Sequence, residues 1–488
     1  MALWRSTVIV SAMTMLSRVL GLVRDIVLLN VFGAGKDFDT FVVAFRIPNF
    51  FRRLFAEGAF SQAFIPVLTE YKTGRTHAEV QILISRVFGC LMTVMTALTF
   101  IAMVAAPAVL YIYAPGFHAD PEKFDLAVSM FRLTIPYLLF MSLTAFASSI
   151  LNSYGSFASP AFSPVLLNVA MIAGAWWLTP YMAEPIMALG WAVIAAGVLQ
   201  LAIQIPELWH KKLLIPPKVD FKHEGVDRIM KLMLPALFGV SVTQINLLLN
   251  TIWASFMQDG SVSWLYSAER MTELPLGLIG VAIGTVILPA LSTRHAEQDM
   301  SKFRGMMDWA AKVIVLVGVP ASIALFMLST PIIQALFQRG QFTLEDTQMT
   351  ALALQCMSAG VISFMLIKVF APGFYAQQDT KTPVRVGLMA VAANAILNVV
   401  FIGFFKLIDW QAEHMALALA SSGSALVNAG MLYFYLHKRD IFRFGAHWKK
   451  LFIQFGISNA VMIVALWYAL TWYNGDVSQW IRVAEVIG

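Results

Sequence analysis

Apolar runs long enough to cross a lipid bilayer recur along almost the whole chain. A membrane-spanning helix needs roughly 20 predominantly apolar residues, and such runs are found at 7–31, 37–61, 83–112, 126–151, 160–179, 185–206, 229–257, 262–291, 309–337, 348–376, 384–405, 412–436 and 450–473. The 488 residues are 59% apolar and only 13% charged, which leaves too few polar side chains to cover a soluble protein of this length. The sequence therefore predicts an all-α polytopic membrane protein.

The distribution of Lys and Arg between the loops predicts the orientation of these spans. With the N-terminus on the cytoplasmic side, the cytoplasmic loops hold 21 of the 34 basic residues, and the opposite loops hold only Lys36, Lys123, Arg339 and Lys406. Membrane proteins carry their excess of basic residues in cytoplasmic loops, so a cytoplasmic N-terminus is expected. Orientation also explains the net charge of +6 better than nucleic-acid binding does, and no nucleic-acid partner is expected.

Six arginines interrupt the apolar spans at positions where a charge is costly. They are Arg18, Arg24, Arg46, Arg52, Arg53 and Arg270. A guanidinium in hydrocarbon costs at least about 2.5–3.5 kcal/mol, so these side chains are expected to line a water-filled space. The nearby acids are one fewer: Asp25, Asp39, Glu57, Glu269 and Glu273. A surplus guanidinium seeks an external anion, and its planar fork suits phosphate.

The alternative is that all of these charges form ion pairs that hold helices together. Asp39 and Arg46 are seven residues apart and lie on nearly one face of a helix after two turns. Arg270 and Glu273 are three residues apart, within reach of each other on one helix. Arginine is nevertheless a costly choice for a purely structural ion pair. We therefore favour anion binding, with Lys368, which lies within the tenth predicted span, as a weaker additional candidate.

A short internal repeat predicts two lobes. Ala44-Phe45-Arg46 followed by Phe64-Ile65-Pro66-Val67-Leu68 is matched about 224 residues later by Ala268-Glu269-Arg270 followed by Ile287-Leu288-Pro289-Ala290-Leu291. Six spans separate the copies, so both have the same orientation, as in transporters built from two parallel lobes. We expect lobes of six helices each at 1–208 and 229–437, a cytoplasmic linker at 209–228, and an extra helix with a tail at 438–488.

Several motifs give the chain a family resemblance. They include Ser17-Arg18-Val19-Leu20-Gly21, Arg24-Asp25, Phe32-Gly33-Ala34-Gly35, Arg52-Arg53 and Phe55-Ala56-Glu57-Gly58-Ala59-Phe60-Ser61-Gln62-Ala63-Phe64-Ile65-Pro66, with Ala371-Pro372-Gly373-Phe374-Tyr375 and Thr380-Lys381-Thr382-Pro383 further on. In these motifs, and over nearly its whole length, the chain closely resembles the MurJ (MviN) family of lipid II flippases. The N-terminal motif is long and highly specific.

The resemblance implies a fold of the multidrug/oligosaccharidyl-lipid/polysaccharide exporter type, with two lobes forming a V around a central cationic cavity. It also implies a groove for a lipid tail. The implied substrate is lipid II, undecaprenyl-pyrophosphoryl disaccharide-pentapeptide, moved from the cytoplasmic to the periplasmic leaflet of the bacterial inner membrane for peptidoglycan synthesis. Arginines matching Arg18, Arg24, Arg52 and Arg270 are the implied diphosphate ligands. Acids matching Asp25, Asp39, Glu57 and Glu273 are implied gate or partner groups, with which we group Arg46, Arg53 and Glu269.

Transport of this kind needs no cofactor, and the expected partners are lipid II and membrane lipids, with the protein acting as a monomer. Alternating access requires only that the two lobes rock. An inward-negative potential disfavours a cationic cavity that faces outward by about 2.3 kcal/mol per charge per 100 mV. We therefore hypothesise that the membrane potential helps to reset the empty carrier.

Two departures from the family pattern limit what can be carried over. Members usually have fourteen spans, whereas this sequence reaches Gly488 just as a fourteenth is due near Trp480, and we expect that span to be truncated. Some members hold sodium with carboxylates, but the corresponding positions here are Asn250, Asn394 and Asn398. Without a carboxylate a sodium site is the less favoured alternative, and interhelical hydrogen bonding is the favoured role of these amides.

Other classes of function fit the sequence less well. A related exporter of drugs or of another polyprenyl-linked glycan is the nearest alternative, and an anion-selective channel is a third class. Asp37-Phe38-Asp39 resembles the metal-binding Asp-x-Asp of a glycosyltransferase, but the charge bias places it outside, where nucleotide sugars are absent. The eight histidines fall in loops or at span ends without metal-ligand spacing. We therefore expect a transporter and not an enzyme.

Overall fold

The computed structural model describes residues 2–55, 59–277 and 281–472, with side chains at 10–52, 60–233, 246–277, 283, 286–445 and 447–472. Every regular element in this part of the chain is helical, which confirms the predicted all-α class. Nine helical segments among the described residues are long and apolar enough to cross a membrane. They belong to a multi-pass membrane protein.

The chain forms two compact units. The first unit contains Met1–Gln244 together with Gln258–Gly260, and the second contains Ile245–Met257 and Ser261–Gly488. The helix α11 (Glu224–Ala254) therefore contributes residues to both. The predicted lobe boundaries stay predictions.

The first unit is built from ten helices followed by the start of α11. They are α1 (Ala2–Phe32), α2 (Lys36–Phe55), α3 (Ala59–Gly74), α4 (His77–Val104), α5 (Ala106–Tyr113), α6 (Pro121–Thr134), α7 (Tyr137–Ser153), α8 (Ala158–Ala173), α9 (Met187–Ala202) and α10 (Ile205–His210). Stacked and tilted rings of Phe60, Phe64 and Phe146 lie at the centre of its core, with ring centroids 5.2–6.2 Å apart. Each ring buries a large apolar area, and ring pairs at these distances add to the packing energy of the unit.

The second unit continues from the end of α11 through eight further helices. They are α12 (Ser261–Pro275), α13 (Val281–Ala296), α14 (Met300–Met327), α15 (Ser329–Phe337), α16 (Leu344–Tyr375), α17 (Lys381–Leu407), α18 (His414–Lys438) and α19 (Ala446–Trp472). Its core contains the buried side chains Phe303, Phe370, Phe374 and Trp448. The apolar α19 keeps only 6% of its most apolar window buried, so most of its surface is left to face lipid.

Local sequence explains where several helices begin and end. Thr76 caps α4 through a reciprocal capping box with Glu79, which satisfies two backbone donors that the first turn leaves unpaired. The predicted span 126–151 consists of α6 and α7, which are separated at Ile135 and Pro136. Proline has no backbone N–H to donate, so it separates the two helices within one apolar run.

The loop between α16 and α17 is fixed by a hydrogen-bonded carboxylate. Asp379 accepts hydrogen bonds from the Thr382 hydroxyl and the Arg439 Nη1, both at 2.6 Å. Burial raises the pKa of Asp379, but the hydrogen bonds from Thr382 and Arg439 outweigh it and lower the pKa to about 2. The carboxylate therefore fastens this loop to the end of α18.

The two copies of the internal repeat occupy comparable places in the helices. Arg46 lies in α2 and Arg270 in α12, each with a proline later in the same helix, Pro48 and Pro275. The following helices, α3 and α13, contain Pro66 and Pro289. The sequence repeat is therefore matched by a repeat of helices.

Candidate functional site

Arg24 is a buried guanidinium held in a fixed orientation inside the first unit. Its side chain is 8% exposed, and that of its neighbour Asp25 is 3% exposed. Arg24 Nη2 lies 2.6 Å and Nε 3.0 Å from the same oxygen, Asp25 Oδ1. On the other side of the fork, Nη1 donates to Asn168 Oδ1 at 3.0 Å. The acid and the amide together define the plane of the guanidinium.

Asn168, on α8, also connects Arg24 to the preceding turns of α1. Its Nδ2 donates to the backbone carbonyl of Ser17 at 3.0 Å, and Ser17 is followed directly by Arg18. Arg18 is exposed, and among the described residues no hydrogen bond or ion pair holds its guanidinium. Arg24 is therefore oriented in advance, whereas Arg18 is accessible.

The predicted site residues of α2 lie in different environments. Arg46 is buried, with 8% of its surface exposed. Arg52 is half-buried and donates from Nε to Asn49 Oδ1 at 2.7 Å, so an amide three residues earlier orients it. The side chain of Arg53 and the whole of Glu57 lie outside the described residues, and their roles stay predictions.

Asp39 has a basic partner that sequence analysis did not select. Its carboxylate is 1% exposed and lies 3.3 Å from Nζ of Lys123 on α6, whose side chain is only 5% exposed. The same Nζ lies 2.5 Å from Asp259 and 4.2 Å from the ring centroid of Phe117. Asp39 Oδ2 also accepts the backbone N–H of Gly260 at 2.9 Å. Lys123, predicted only as an external loop charge, is a buried cation shared by two carboxylates.

Arg270 is oriented by residues of its own helix, α12, in the second unit. Its Nη1 donates to Glu273 at 2.9 Å and its Nη2 to the Tyr266 hydroxyl at 3.2 Å. The guanidinium carbon also lies 4.8 Å from the centroid of the Tyr266 ring, within the range of a cation–π interaction. Arg270 is 27% exposed, so the site is open to solvent. Glu269 is half-buried on the same helix, and Lys368 on α16 is exposed.

The three asparagines form one buried cluster in the second unit. Asn398 Nδ2 donates to Asn394 Oδ1 at 3.1 Å and to Asn250 Oδ1 at 3.3 Å, and Asn250 donates to Ser421 at 2.8 Å. Two of the three amide oxygens are thus already acceptors. With neutral ligands alone, a cation at this buried place would have no charge to balance it. Asn398 Oδ1 is a buried acceptor without a hydrogen-bond partner among the described residues. Sodium therefore stays the less favoured alternative to interhelical hydrogen bonding, and no step of transport is assigned to it.

An apolar pocket of about 420 Å³ opens on the second unit. Its lining includes Phe326 and Met327 of α14, Ala359 of α16 and Ile463 of α19. These side chains present hydrocarbon without charge. Ile463 belongs to α19, the helix that the sequence predicts as the extra C-terminal span.

The fold and the sequence have clear relatives. The family model described as "Lipid II flippase MurJ" matches residues 28–485. The chain belongs to the MurJ family of lipid II flippases. The "Probable lipid II flippase MurJ" proteins of Vibrio cholerae and Haemophilus influenzae are each 44% identical to it. The first match covers 98% of this chain and 92% of the relative, and the second covers 96% and 92%.

Solved structures agree with membership in the MurJ family. The structure titled "Lipid II flippase MurJ, inward closed conformation" matches with a TM-score of 0.81 and 26% identity, over 98% of this chain and 96% of that one. An inward-facing multidrug resistance MATE transporter of the MOP superfamily matches with a TM-score of 0.67 at 14% identity, over 88% of this chain and 97% of that one. The second likeness shows the fold alone. Members of the MurJ family are transporters, so the expectation of a transporter is confirmed.

Within this MurJ-family chain, three site residues had weak or absent sequence signals. Asn168 is an amide inside an apolar run, which is itself a sign of a specific hydrogen bond in a membrane helix. Tyr266 stands four residues before Arg270, on the same helix face. Lys123 gave no signal, because its two partners are 84 and 136 residues away in the sequence.

Proposed function

We propose that this protein moves lipid II from the cytoplasmic to the periplasmic leaflet by alternating access, for peptidoglycan synthesis. Membership in the MurJ family and 44% identity to flippase relatives over almost the full length support the substrate. The arginines support the mechanism, since guanidinium groups form paired, charge-assisted hydrogen bonds with a diphosphate. No bond of the substrate is made or broken.

The observation that carries this proposal is the arrangement at Arg24. A buried guanidinium would be strongly destabilising without a counter-charge, and Asp25 supplies one while Asn168 fixes the orientation. A diphosphate that reaches this group exchanges water for charge-assisted hydrogen bonds with a donor that is already oriented. Pre-orientation reduces the entropy lost on binding. Asp25 is therefore the partner that balances the charge of Arg24.

Two of the other proposed ligands, Arg52 and Arg270, are oriented by neighbouring side chains in the same way. Asn49 orients Arg52, and Glu273 and Tyr266 orient Arg270. Arg18 is accessible and lies about 1.7 turns before Arg24 on α1, where it can make first contact with a headgroup. A guanidinium binds phosphate through two parallel hydrogen bonds, which a lysine ammonium cannot do.

The lipid tail requires a separate, apolar path. A polyprenyl chain gains nothing from leaving the bilayer, so only the headgroup needs the polar residues. The pocket lined by Phe326, Met327 and Ile463 offers hydrocarbon to a tail beside the second unit. We assign the tail to this side of the protein.

We further propose a bacterial inner-membrane location, a cytoplasmic N-terminus and a monomeric carrier whose return step is helped by the membrane potential. The loop charges support the orientation. The variants Lys72→Cys and Lys406→Cys, on predicted opposite sides, test it with an impermeant thiol reagent in intact cells. Only Lys406→Cys is expected to react. If the rate of lipid II flipping in vesicles does not change with an imposed membrane potential, the potential has no part in the return step.

The experiment that tests the function is rescue of cells depleted of their own lipid II flippase, with externally accessible lipid II as the readout. The variants are Arg18→Ala, Arg24→Ala, Arg52→Ala and Arg270→Ala. Each removes a hydrogen bond to a charged group, worth about 1.5–3 kcal/mol, so export is expected to fall about 10- to 150-fold. Arg24→Lys keeps the charge but not the fork and is expected to be intermediate.

The matched control is Arg132→Ala, in the first unit. It removes an exposed guanidinium, which donates to the backbone carbonyl of Met103. It is expected to export at the wild-type level. Normal export by all four test variants, at equal protein amounts, would refute the assignment of the diphosphate ligands.

A further inference from the structure

The segment between α10 and α11, residues 211–223, has an exposed surface to which the proposed transport mechanism assigns no role. It begins where the apolar segment Met187–His210 ends, so its first residues are expected at the edge of the bilayer. Trp209, at that end, is 72% exposed. Tryptophan at a helix end is typical of the membrane–water interface. The segment therefore starts at the level of the lipid headgroups.

This segment is held in place by its backbone. Gln81 Nε2 donates to the Lys212 carbonyl at 2.8 Å, and the Ser85 hydroxyl to the Pro216 carbonyl at 2.7 Å. The Lys218 N–H returns a hydrogen bond to the Ser85 carbonyl at 3.1 Å. At Gly89 a Cβ atom would lie 2.4 Å from the Lys218 carbonyl, so only glycine allows this approach. The outward side chains are thus presented by a fixed backbone, not by a loose tether.

The outward side chains combine exposed apolar groups with lysines. Leu214, Val219 and Phe221 are 46%, 55% and 49% exposed. Lys212, Lys218 and Lys222 are exposed and Lys211 is half-buried; none of these four lies within ion-pair distance of a carboxylate among the described residues. Asp220 is the one acid in residues 211–223. It pairs with Arg86 of α4, at 3.7 Å. The positive charge of the segment is therefore not neutralised by the protein.

We propose that residues 209–222 form a contact surface for anionic lipid headgroups, with Leu214, Val219 and Phe221 inserted at the interface. Lysines next to exposed apolar side chains at the bilayer edge match the chemistry of a negatively charged lipid surface. Each lysine near such a surface favours the docked state by roughly fivefold. This segment joins the two halves of the sequence. The lipid contact would hold it at the membrane surface. The inference rests on the proposed cytoplasmic location of this segment.

The test uses the full-length protein in nanodiscs of neutral phosphatidylcholine or of phosphatidylcholine with one-third phosphatidylglycerol. In the variant Val219→Cys an environment-sensitive, thiol-reactive fluorophore is attached to residue 219. The native Cys90 and Cys356 are buried, at 5% and 7% exposed, so the reagent labels residue 219 selectively. Quenching of the fluorophore by uncharged acrylamide is expected to be at least about threefold weaker in the anionic discs. Replacing the four lysines together by glutamine removes this difference, whereas replacing them by arginine preserves it.

Equal quenching in both kinds of disc, or a glutamine variant that behaves as the parent, would overturn the inference. A label open to water in both discs would point to solvent or a soluble protein as the neighbour of this surface. Flipping of lipid II, measured on the same preparations, separates the two proposals. Protection of the label without flipping would contradict only the proposed function, and flipping without protection only the lipid contact.

Discussion

Replacing Lys123 by methionine is expected to destabilise the first unit strongly. The change removes the ammonium that lies 3.3 Å from the buried Asp39 carboxylate and 2.5 Å from Asp259, while the side chain keeps most of its volume. Removing one partner of a buried ion pair costs about 3–5 kcal/mol. Asp259 is 57% exposed, and water can replace its share of the interaction. We therefore expect a loss of stability at the lower end of this range, about 3 kcal/mol.

In a unit of this size each kcal/mol corresponds to about 2–4 °C, so the thermal midpoint is expected to fall by about 6–12 °C. Purified protein in detergent, followed by a thermal-shift assay, measures this change. The double variant Lys123→Met with Asp39→Asn removes both buried charges and is expected to recover most of the loss, with a coupling of about 2 kcal/mol between the two positions.

The matched control is Lys36→Met, in the same unit. Lys36 pairs with Asp120 and Glu122, whose side chains are 42% and 87% exposed, and exposed pairs contribute little to stability. Its midpoint is expected to stay at the wild-type value. The reasoning is refuted if the Lys123 and Lys36 variants shift the midpoint equally, or if the Lys123 and Asp39 changes are additive.

Three further outcomes are expected. Asn168→Leu removes the amide that orients Arg24 and is expected to lower lipid II export about tenfold, whereas Asn168→Asp keeps an acceptor and retains more export at equal protein amounts. Gly89→Ala forces the neighbouring backbone away and is expected to cost about 1–3 kcal/mol in a thermal-shift assay, in contrast to Gly403→Ala, where nothing lies within 4 Å of the new methyl group. The pKa of Asp379 is lowered on folding to about 2 from about 3.9, so its stabilisation is complete above about pH 4 and is lost as the pH falls towards 2. Asp379→Asn is accordingly expected to cost about 1–2 kcal/mol at pH 7, discounted for the exposed arginine partner, and almost nothing at pH 2; equal losses at both pH values would contradict the linkage.

The sequence predicts the long apolar helices well because their length and composition are set locally. The predicted spans 348–376 and 384–405 correspond to Leu344–Tyr375 and Lys381–Leu407. Most of the residues by which the helices extend beyond these apolar runs are polar, such as Glu345 and Asp346 in the first and Lys381 and Thr382 in the second. Hydropathy alone does not detect these extensions.

Contacts between distant residues were beyond sequence reasoning. The pairing of Arg270 with Glu273 follows from helical spacing, and the structure contains it at 2.9 Å. The burial of Lys123 between Asp39 and Asp259 depends on tertiary packing, and no local pattern encodes it. Asn168 lies 144 residues from Arg24, so the polar residue was visible in its apolar run but its partner was not.

Direct binding of the substrate tests the central claim, that guanidinium groups, above all the buried and oriented Arg24, hold a diphosphate. The purified protein is titrated with lipid II and with the same lipid-linked disaccharide-pentapeptide that carries one phosphate instead of two. The diphosphate is expected to bind at least about tenfold more tightly, and Arg24→Gln to abolish most of this preference. Equal affinity for the two lipids, or a preference that survives the loss of Arg24 unchanged, would contradict the account.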